Sequence, residues 1–210
     1  MNTHNTLKNQ NNYSFIEQAR RGQIVDCAID TIVELGYAQC SIGQIAKRAN
    51  ISKGVISYHF SSKEEIFEQI IKRYDELSNS IFVPQFDMQL SPRTMLQKYI
   101  KSYLEFVNQN RKLVYSCIEI EINSRTKEGN LQFSRVLNEK KYETIEYILL
   151  LGMKDGSFRR FSKQSRRVMA QTIESVINGF SIEVIRNSTL DVTEYINEQL
   201  MIFDLATRVN

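Results

Sequence analysis

The chain has 210 residues, 42% hydrophobic and 24% charged, the proportions of an ordinary folded globular protein. Its net charge of +3 is too small to argue for nucleic acid by itself, and it contains no apolar run of about eighteen residues that could span a bilayer, so no membrane association is expected. Three scattered cysteines (Cys27, Cys40, Cys117) and two histidines (His4, His59) fit neither a disulfide framework nor zinc-ligand spacing, so no metal and no cofactor are expected.

The first fourteen residues, Met1 to Ser14, are rich in Asn and lack the apolar segment of a secretory signal, which predicts a disordered tail and a cytoplasmic chain. From Phe15 to Leu35 the apolar residues Ile24, Val25, Ala28, Ile29, Ile32 and Val33 recur at three and four, the period of an amphipathic helix, and Gly36 stands where a left-handed cap would end it. Ser41-Ile-Gly-Gln44 has the form of a capping box and opens a short helix through Ala49. Asn50 tolerates positive φ, so Ala49-Asn50-Ile51 reads as a tight turn, and Ser52 caps a further helix of barely two turns. Ser62-Lys-Glu-Glu65 is a second capping box that launches a longer helix to about Ile81. Two short helices across a tight turn, braced before and after, form a helix-turn-helix layout.

The only prolines, Pro84 and Pro92, bracket a stretch where the apolar period lapses, which predicts a loop. Beyond it Met95, Leu96, Tyr99, Ile100, Tyr103, Leu104 and Val107 form a wide stripe on a helix surrounded by others. Ile118-Glu-Ile-Glu-Ile122 alternates like a strand. A lone strand has no ladder partner, however, and Leu113, Val114, Cys117, Ile118 and Ile122 also satisfy the helical period, so a helix is expected. Helices follow over Leu131 to Met153, ended by Gly152 and Gly156, over Ser162 to Arg186, and over Val192 to Thr207. The expected fold class is all-α.

No enzyme is expected. The eight glycines never meet the spacing of a phosphate-binding loop, and no Ser or Cys sits in a nucleophile-elbow context. The distribution of charge is more informative than its sum. Between Glu34 and Glu64 there is no acidic residue, while Lys47, Arg48, Lys53 and Lys63 fall in the gap. A helix entering the major groove must be slim and free of acids, because every phosphate it nears repels a carboxylate, whereas hydroxyls, N–H groups and Lys grip phosphate oxygens.

Gly36-Tyr37, Ile45-Ala46 with Ala49, Ile51-Ser-Lys-Gly54, Tyr58-His-Phe60 and Ser62-Lys-Glu-Glu-Ile66 together resemble the signature of the TetR family of bacterial transcriptional regulators, over about Arg20 to Phe67. The resemblance implies an all-helical homodimer with an N-terminal three-helix DNA-binding domain. It also implies a C-terminal domain that dimerises through its last two helices and encloses a small-molecule pocket. The implied function is a ligand-responsive repressor, released by a small-molecule effector from a palindromic double-stranded operator. The implied domains are 15–61 for DNA and 62–210 for ligand and dimerisation, with helix 62–81 connecting them.

Residue by residue, the resemblance assigns Ser41, Ser52 and Lys63 to phosphates and Lys53, Gly54, Val55, Ser57, Tyr58 and His59 to the recognition helix, with Arg20 and Arg21 adding backbone contacts. Asn50 departs from the usual turn Gly, Cys40 stands where Thr is common, and Ser57 stands where an aromatic is frequent. Tyr99, Tyr103, Phe106, Tyr115, Glu119, Phe133 and Tyr142 are the candidates for a ligand pocket, although aromatics at helical spacing are more often plain core. The apolar positions Ile173, Ile177, Phe180, Val184, Ile196, Leu200 and Phe203 are assigned to the subunit interface. Two rivals remain: a helix-turn-helix protein whose second domain binds another protein, and an all-helical enzyme carrying an incidental motif.

Overall fold

The structure, a computed structural model, describes residues 15–82, 89–133 and 136–209; the expected tail over 1–14 lies outside them. Among the described residues there are nine α-helices, and the only β pairing is two isolated bridges. The chain divides into two compact units between Ile70 and Ile71, inside a helix, whereas the sequence placed the division at its start.

In the first unit α1 (Phe15–Leu35) packs against both α2 (Ile42–Ala49) and α3 (Lys53–His59), and the first turns of α4 (Lys63–Phe82) complete the bundle. Ile24, Ala28 and Ile32 of α1, Ile45 and Ala46 of α2, Ile56 of α3, Phe60, and Ile66, Phe67 and Ile70 of α4 form the core. The chain leaves α1 through Gly36 at φ 79° and ψ 165°, a region essentially closed to residues with a Cβ, and then makes a single 3-10 turn over Tyr37–Gln39. Asn50 takes the left-handed conformation, φ 51° and ψ 46°, and its N–H meets the Ala46 and Lys47 carbonyls that end α2. Cys40, which follows the 3-10 turn, is buried, and burial pushes its thiol up to about 11, which leaves it unreactive.

In the second unit α5 (Pro92–Gln109), α6 (Arg111–Asn123), α7 (Val136–Asp155) and α8 (Lys163–Arg186) pack together, and α9 (Val192–Thr207) lies against α5. Ser91 caps α5 ahead of Pro92, a start in which the missing proline N–H costs nothing. The alternating Ile118 to Ile122 stretch lies in α6, as the helical period requires.

Two details differ from the sequence expectation. Residues 131–133 precede α7 instead of opening it: Leu131 bridges to Arg125 across a turn in which Gly129 has φ 83°. Gly152 lies inside α7, and Gly156 at φ 81° follows its end. The bare Cα of Gly152 receives the ring of Phe158, since a Cβ there would stand 2.0 Å from Phe158 Cδ2.

Candidate nucleic-acid interface

A helix of seven residues has too few internal hydrogen bonds to hold itself, so α3 takes its pose from its anchors. Ile56 and Phe60 are buried on its inner side, and the Ser52 hydroxyl accepts the Val55 N–H at 3.3 Å to cap its start. With those groups inward, Lys53, Gly54, Ser57 and Tyr58 face solvent, Tyr58 with 74% of its surface open, and Val55 is exposed at their edge. A Cβ added to Gly54 would meet only the Ser52 hydroxyl, at 3.6 Å, so the helix start is open to a close neighbour. The exposed face thus carries one cation, two hydroxyl groups, an aliphatic surface and no acid, the mixture that reads base edges and phosphates together.

The start of α2 stands beside it. Ser41 Oγ accepts the Gln44 N–H at 3.2 Å. The end of the Lys53 side chain lies over this turn. A Cβ on Gly43 would come within 3.1 Å of Lys53 Cε, 3.4 Å of its ammonium and 3.8 Å of Ser41 Oγ. The absence of a side chain at Gly43 therefore leaves the Lys53 ammonium and the Ser41 hydroxyl flanking one small volume, where both can donate to a phosphate oxygen. The Lys63 ammonium at the start of α4 lies over the rings of Tyr37 and Phe67, at 5.1 and 5.3 Å from their centres.

The other predicted contacts are less available. Arg20 is half-buried and donates to Gln23 at 2.6 Å. Arg21 turns inward: it donates to the His59 carbonyl, pairs with Glu65 at 3.0 Å and covers the Phe60 ring at 4.0 Å, with 15% of its side chain exposed. His59 is half-buried with Nδ1 enclosed, and its ring meets Tyr58 edge-on at 5.0 Å. Tyr58 reaches towards Glu17 of α1, 3.4 Å away.

Charge here is segregated, not abundant. Residues 15–70 hold six Lys and Arg against seven Asp and Glu, one more acid than base. Within the acid-free gap Arg48 is also engaged, its two terminal guanidinium nitrogens donating to the Glu34 carboxylate. Attraction to DNA must come from a local face, since the unit as a whole has no positive excess.

The second unit holds a different constellation, which the sequence indicated only in part. Tyr99 and Tyr103 are buried as neighbours, ring centres 5.0 Å apart, and Phe106 packs edge-on against Tyr74 at 5.7 Å. Between them lie two charged residues that the sequence reading missed, Glu174 buried and Lys141 half-buried. Glu174 of α8, 1% exposed, accepts the Tyr99 hydroxyl at 2.9 Å and lies 3.5 Å from the Lys141 ammonium of α7, which donates to the Tyr74 hydroxyl at 3.1 Å.

Burial pushes the Lys141 ammonium down, but Tyr74, Glu174 and Tyr103 around it more than compensate and hold it well above the usual lysine value. Burial raises the carboxyls of Asp75 and Glu121, with Lys141 opposing in both cases. The spacing Ala170, Glu174, Ile177, Ser181 was the available signal, a carboxylate inside an otherwise inward stripe. The remaining pocket candidates do not join this cluster in any contact seen here: Tyr115 pairs with Glu119 on α6 at 3.3 Å, Tyr142 lies half-buried under the Arg167 guanidinium, and Phe133 is half-buried.

The positions assigned to the subunit interface lie largely inside the chain. Ile173, Ile177, Phe180, Val184, Ile196 and Phe203 are all buried within the chain, and Leu200 is half-buried, because the apolar stripe that periodicity detects is the one a helix turns to its own core. The residues α8 and α9 present outward are Val168, Met201, Ile202 and Leu205, each about half exposed.

The first unit is thus a helix-turn-helix with an outward recognition helix, in a chain whose second unit is built of helices among the described residues. Residues 24–70 match the family model described as bacterial regulatory proteins, tetR family. The helix-turn-helix segment is thus similar to the DNA-binding segment of that family. The chain is 33% identical over 100 residues to the biofilm operon icaADBC HTH-type negative transcriptional regulator IcaR of Staphylococcus aureus, an alignment covering 42% of this chain and 54% of that protein. It is also 34% identical over 58 residues to the HTH-type transcriptional regulator BetI 1 of Chromohalobacter salexigens, covering 28% and 29% of the two chains. The chain thus spans about half the length of the first of these relatives and less than a third of the second.

The fold is shared much further. The ketosteroid transcriptional regulator KstR2 of Mycobacterium tuberculosis superposes with a TM-score of 0.75 at 18% identity, covering 96% of this chain and 98% of that one. The transcriptional regulator FadR of Bacillus subtilis, solved with stearoyl-CoA, gives 0.68 at 21% identity over 86% and 96%. At such identities the likeness concerns architecture alone.

Proposed function

We propose that the protein is a ligand-responsive transcriptional repressor that binds a palindromic operator as a homodimer and leaves it when a small molecule binds the second unit. The observation that carries the DNA-binding part is the outward, acid-free face of α3 with its helix start beside the Lys53 and Ser41 donors, within the segment that matches the family. Two copies of α3 related by a two-fold axis would enter successive major grooves about 34–36 Å apart. The exposed apolar face of α8 and α9 supports a second copy as the partner. Val168, Met169, Thr172, Ile202, Phe203 and Ala206 line an open groove there of about 480 Å³.

The Lys141–Glu174 pair with its tyrosines supports an effector site in the second unit, because charges in a core cost stability unless a structural or binding role retains them. Release then requires that the effector prefer the conformation with the wrong spacing of the two α3 helices; a ligand bound equally by both conformations shifts nothing. Selection of bound duplexes from a random pool tests the first part, and enrichment of a two-fold-symmetric sequence is expected. On the selected site, Lys63→Ala should weaken binding to all sequences and flatten its salt dependence, whereas changes at Val55 should alter sequence preference. Failure to enrich any duplex would end the repressor reading.

A further inference from the structure

In the first unit Arg21 is a cation that the sequence placed on DNA and the structure turns inward. Arg21 gathers three partners from two other elements: the carbonyl of His59, where the peptide dipoles of α3 end; the ring of Phe60, the residue that caps α3; and the carboxylate of Glu65 in the first turn of α4. Glu65 is itself fully engaged. It accepts the Ser61 N–H at 2.7 Å and the Ser61 hydroxyl at 2.8 Å, and its own N–H is capped by Ser62 Oγ at 3.2 Å. One guanidinium from α1 thus reaches the C-terminal end of the recognition helix and the turn that follows it.

We infer that Arg21 and Glu65 are positioning residues for DNA recognition: they fix the tilt of α3, and neither touches phosphate. The need for such a device follows from the length of α3. Ile56 and Phe60 hold its inner side and Ser52 its start, but two apolar contacts leave a seven-residue helix free to rock about its own axis. A planar fork that donates along two directions while stacking on a ring removes that freedom, and an ammonium cannot reproduce it. Base-edge contacts are the sensitive ones, because a groove-entering side chain must meet donors and acceptors within a few tenths of an ångström, whereas phosphate contacts from flexible lysines adapt.

This inference rests on the DNA-binding reading, and the test separates the two. The full-length chain, wild type and the variants Arg21→Lys, Arg21→Ala and Glu65→Gln, is titrated with the selected operator and with a shuffled duplex across a salt series. Helical content is followed without DNA, so that only temperatures at which each variant is folded are compared. A positioning role predicts that Arg21→Lys, which keeps the charge, behaves like Arg21→Ala: operator affinity falls on the order of tenfold, shuffled-duplex affinity hardly changes, and the salt slope stays that of the wild type. Glu65→Gln should lose discrimination in the same way, although removing an acid near DNA would by charge alone strengthen binding. The inference is overturned if Arg21→Lys matches the wild type while Arg21→Ala flattens the slope by about one unit, the mark of a lost phosphate contact. It is equally overturned if all variants keep wild-type discrimination. If the wild type itself binds neither duplex, the DNA-binding reading fails instead.

Discussion

Lys141→Met gives the sharpest test of how the second unit is held together. The substitution keeps most of the side-chain volume and removes the ammonium that lies 3.5 Å from Glu174. Glu174, 1% exposed, retains only the Tyr99 hydroxyl at 2.9 Å among the partners seen here, so its carboxylate becomes a buried charge without a counter-ion. It escapes by taking a proton, and that escape bounds the penalty. Holding a glutamate of ordinary value near 4.3 neutral at pH 7 costs about 3.7 kcal/mol, at about 1.36 kcal/mol per unit of pH, and at pH 5 only about 1 kcal/mol. The sign follows from linkage. In the variant the folded-state carboxyl titrates above its unfolded value, the native state binds the extra proton, and stability falls as pH rises.

Urea denaturation followed by circular dichroism suits a chain without tryptophan. The expected result is a loss of about 3 kcal/mol at pH 7 that shrinks to about 1 kcal/mol at pH 5. Adding Glu174→Gln, which still offers Tyr99 an acceptor, should recover most of the loss at pH 7. A penalty equal at both pH values, or a double variant as unstable as the single one, would refute the idea that an uncompensated carboxylate is the cause.

Gly152→Ala would drive a methyl group to 2.0 Å from the buried Phe158 ring and should cost about 1–3 kcal/mol, read as a lower melting temperature. Asn50→Ala puts a Cβ without a local polar partner into the left-handed conformation between α2 and α3 and should cost about 1 kcal/mol, whereas Asn50→Gly should be nearly neutral. For Glu65, burial pushes the carboxyl up, but the Ser61 N–H, the Arg21 guanidinium and the Ser61 hydroxyl outweigh it and hold the group below its ordinary value. Its stabilising contribution is therefore present above ~4.3 and lost as pH falls through the folded-state value, so Glu65→Gln should flatten the acid limb of a melting-temperature profile.

The first unit was legible because its signals are local. Caps at Ser41 and Ser52, a residue tolerant of positive φ at Asn50 and inward Ile45 and Ile56 each act within a few residues, and the chain obeys them. What a side chain meets across the bundle is not written at that range. Arg21 and Lys53 are both basic residues near helix starts, yet one is sequestered by Glu65, forty-four positions away, and the other stays in solvent. A subunit face is hard to read for a related reason: periodicity marks which stripe of α8 is apolar, and the core takes that stripe first. A surface for a second copy must be sought in apolar residues that fall off the stripe, such as Val168 and Ile202. Lys141 and Glu174 escaped because a charge at a core position looks like noise in the period until its opposite number is seen.

The segregation of charge in the first unit also limits how strongly salt can govern DNA binding. Six lysines and arginines occupy residues 15–70, but the Arg21 and Arg48 guanidinium groups are held by Glu65 and Glu34. Arg20, Lys47, Lys53 and Lys63 remain to meet phosphate, at most eight cations in a dimer, so the slope of log K against log[salt] should not exceed about 7 in magnitude. Were all twelve to reach phosphate, it would approach about 11. A measured slope near the larger value would mean that both arginines leave their carboxylates on binding, and the brace on α3 would then be a feature of the free protein alone. A slope at or below the smaller value requires that specificity come from a face with few charges and many short-range contacts, which is the face that Gly54, Val55, Ser57 and Tyr58 present.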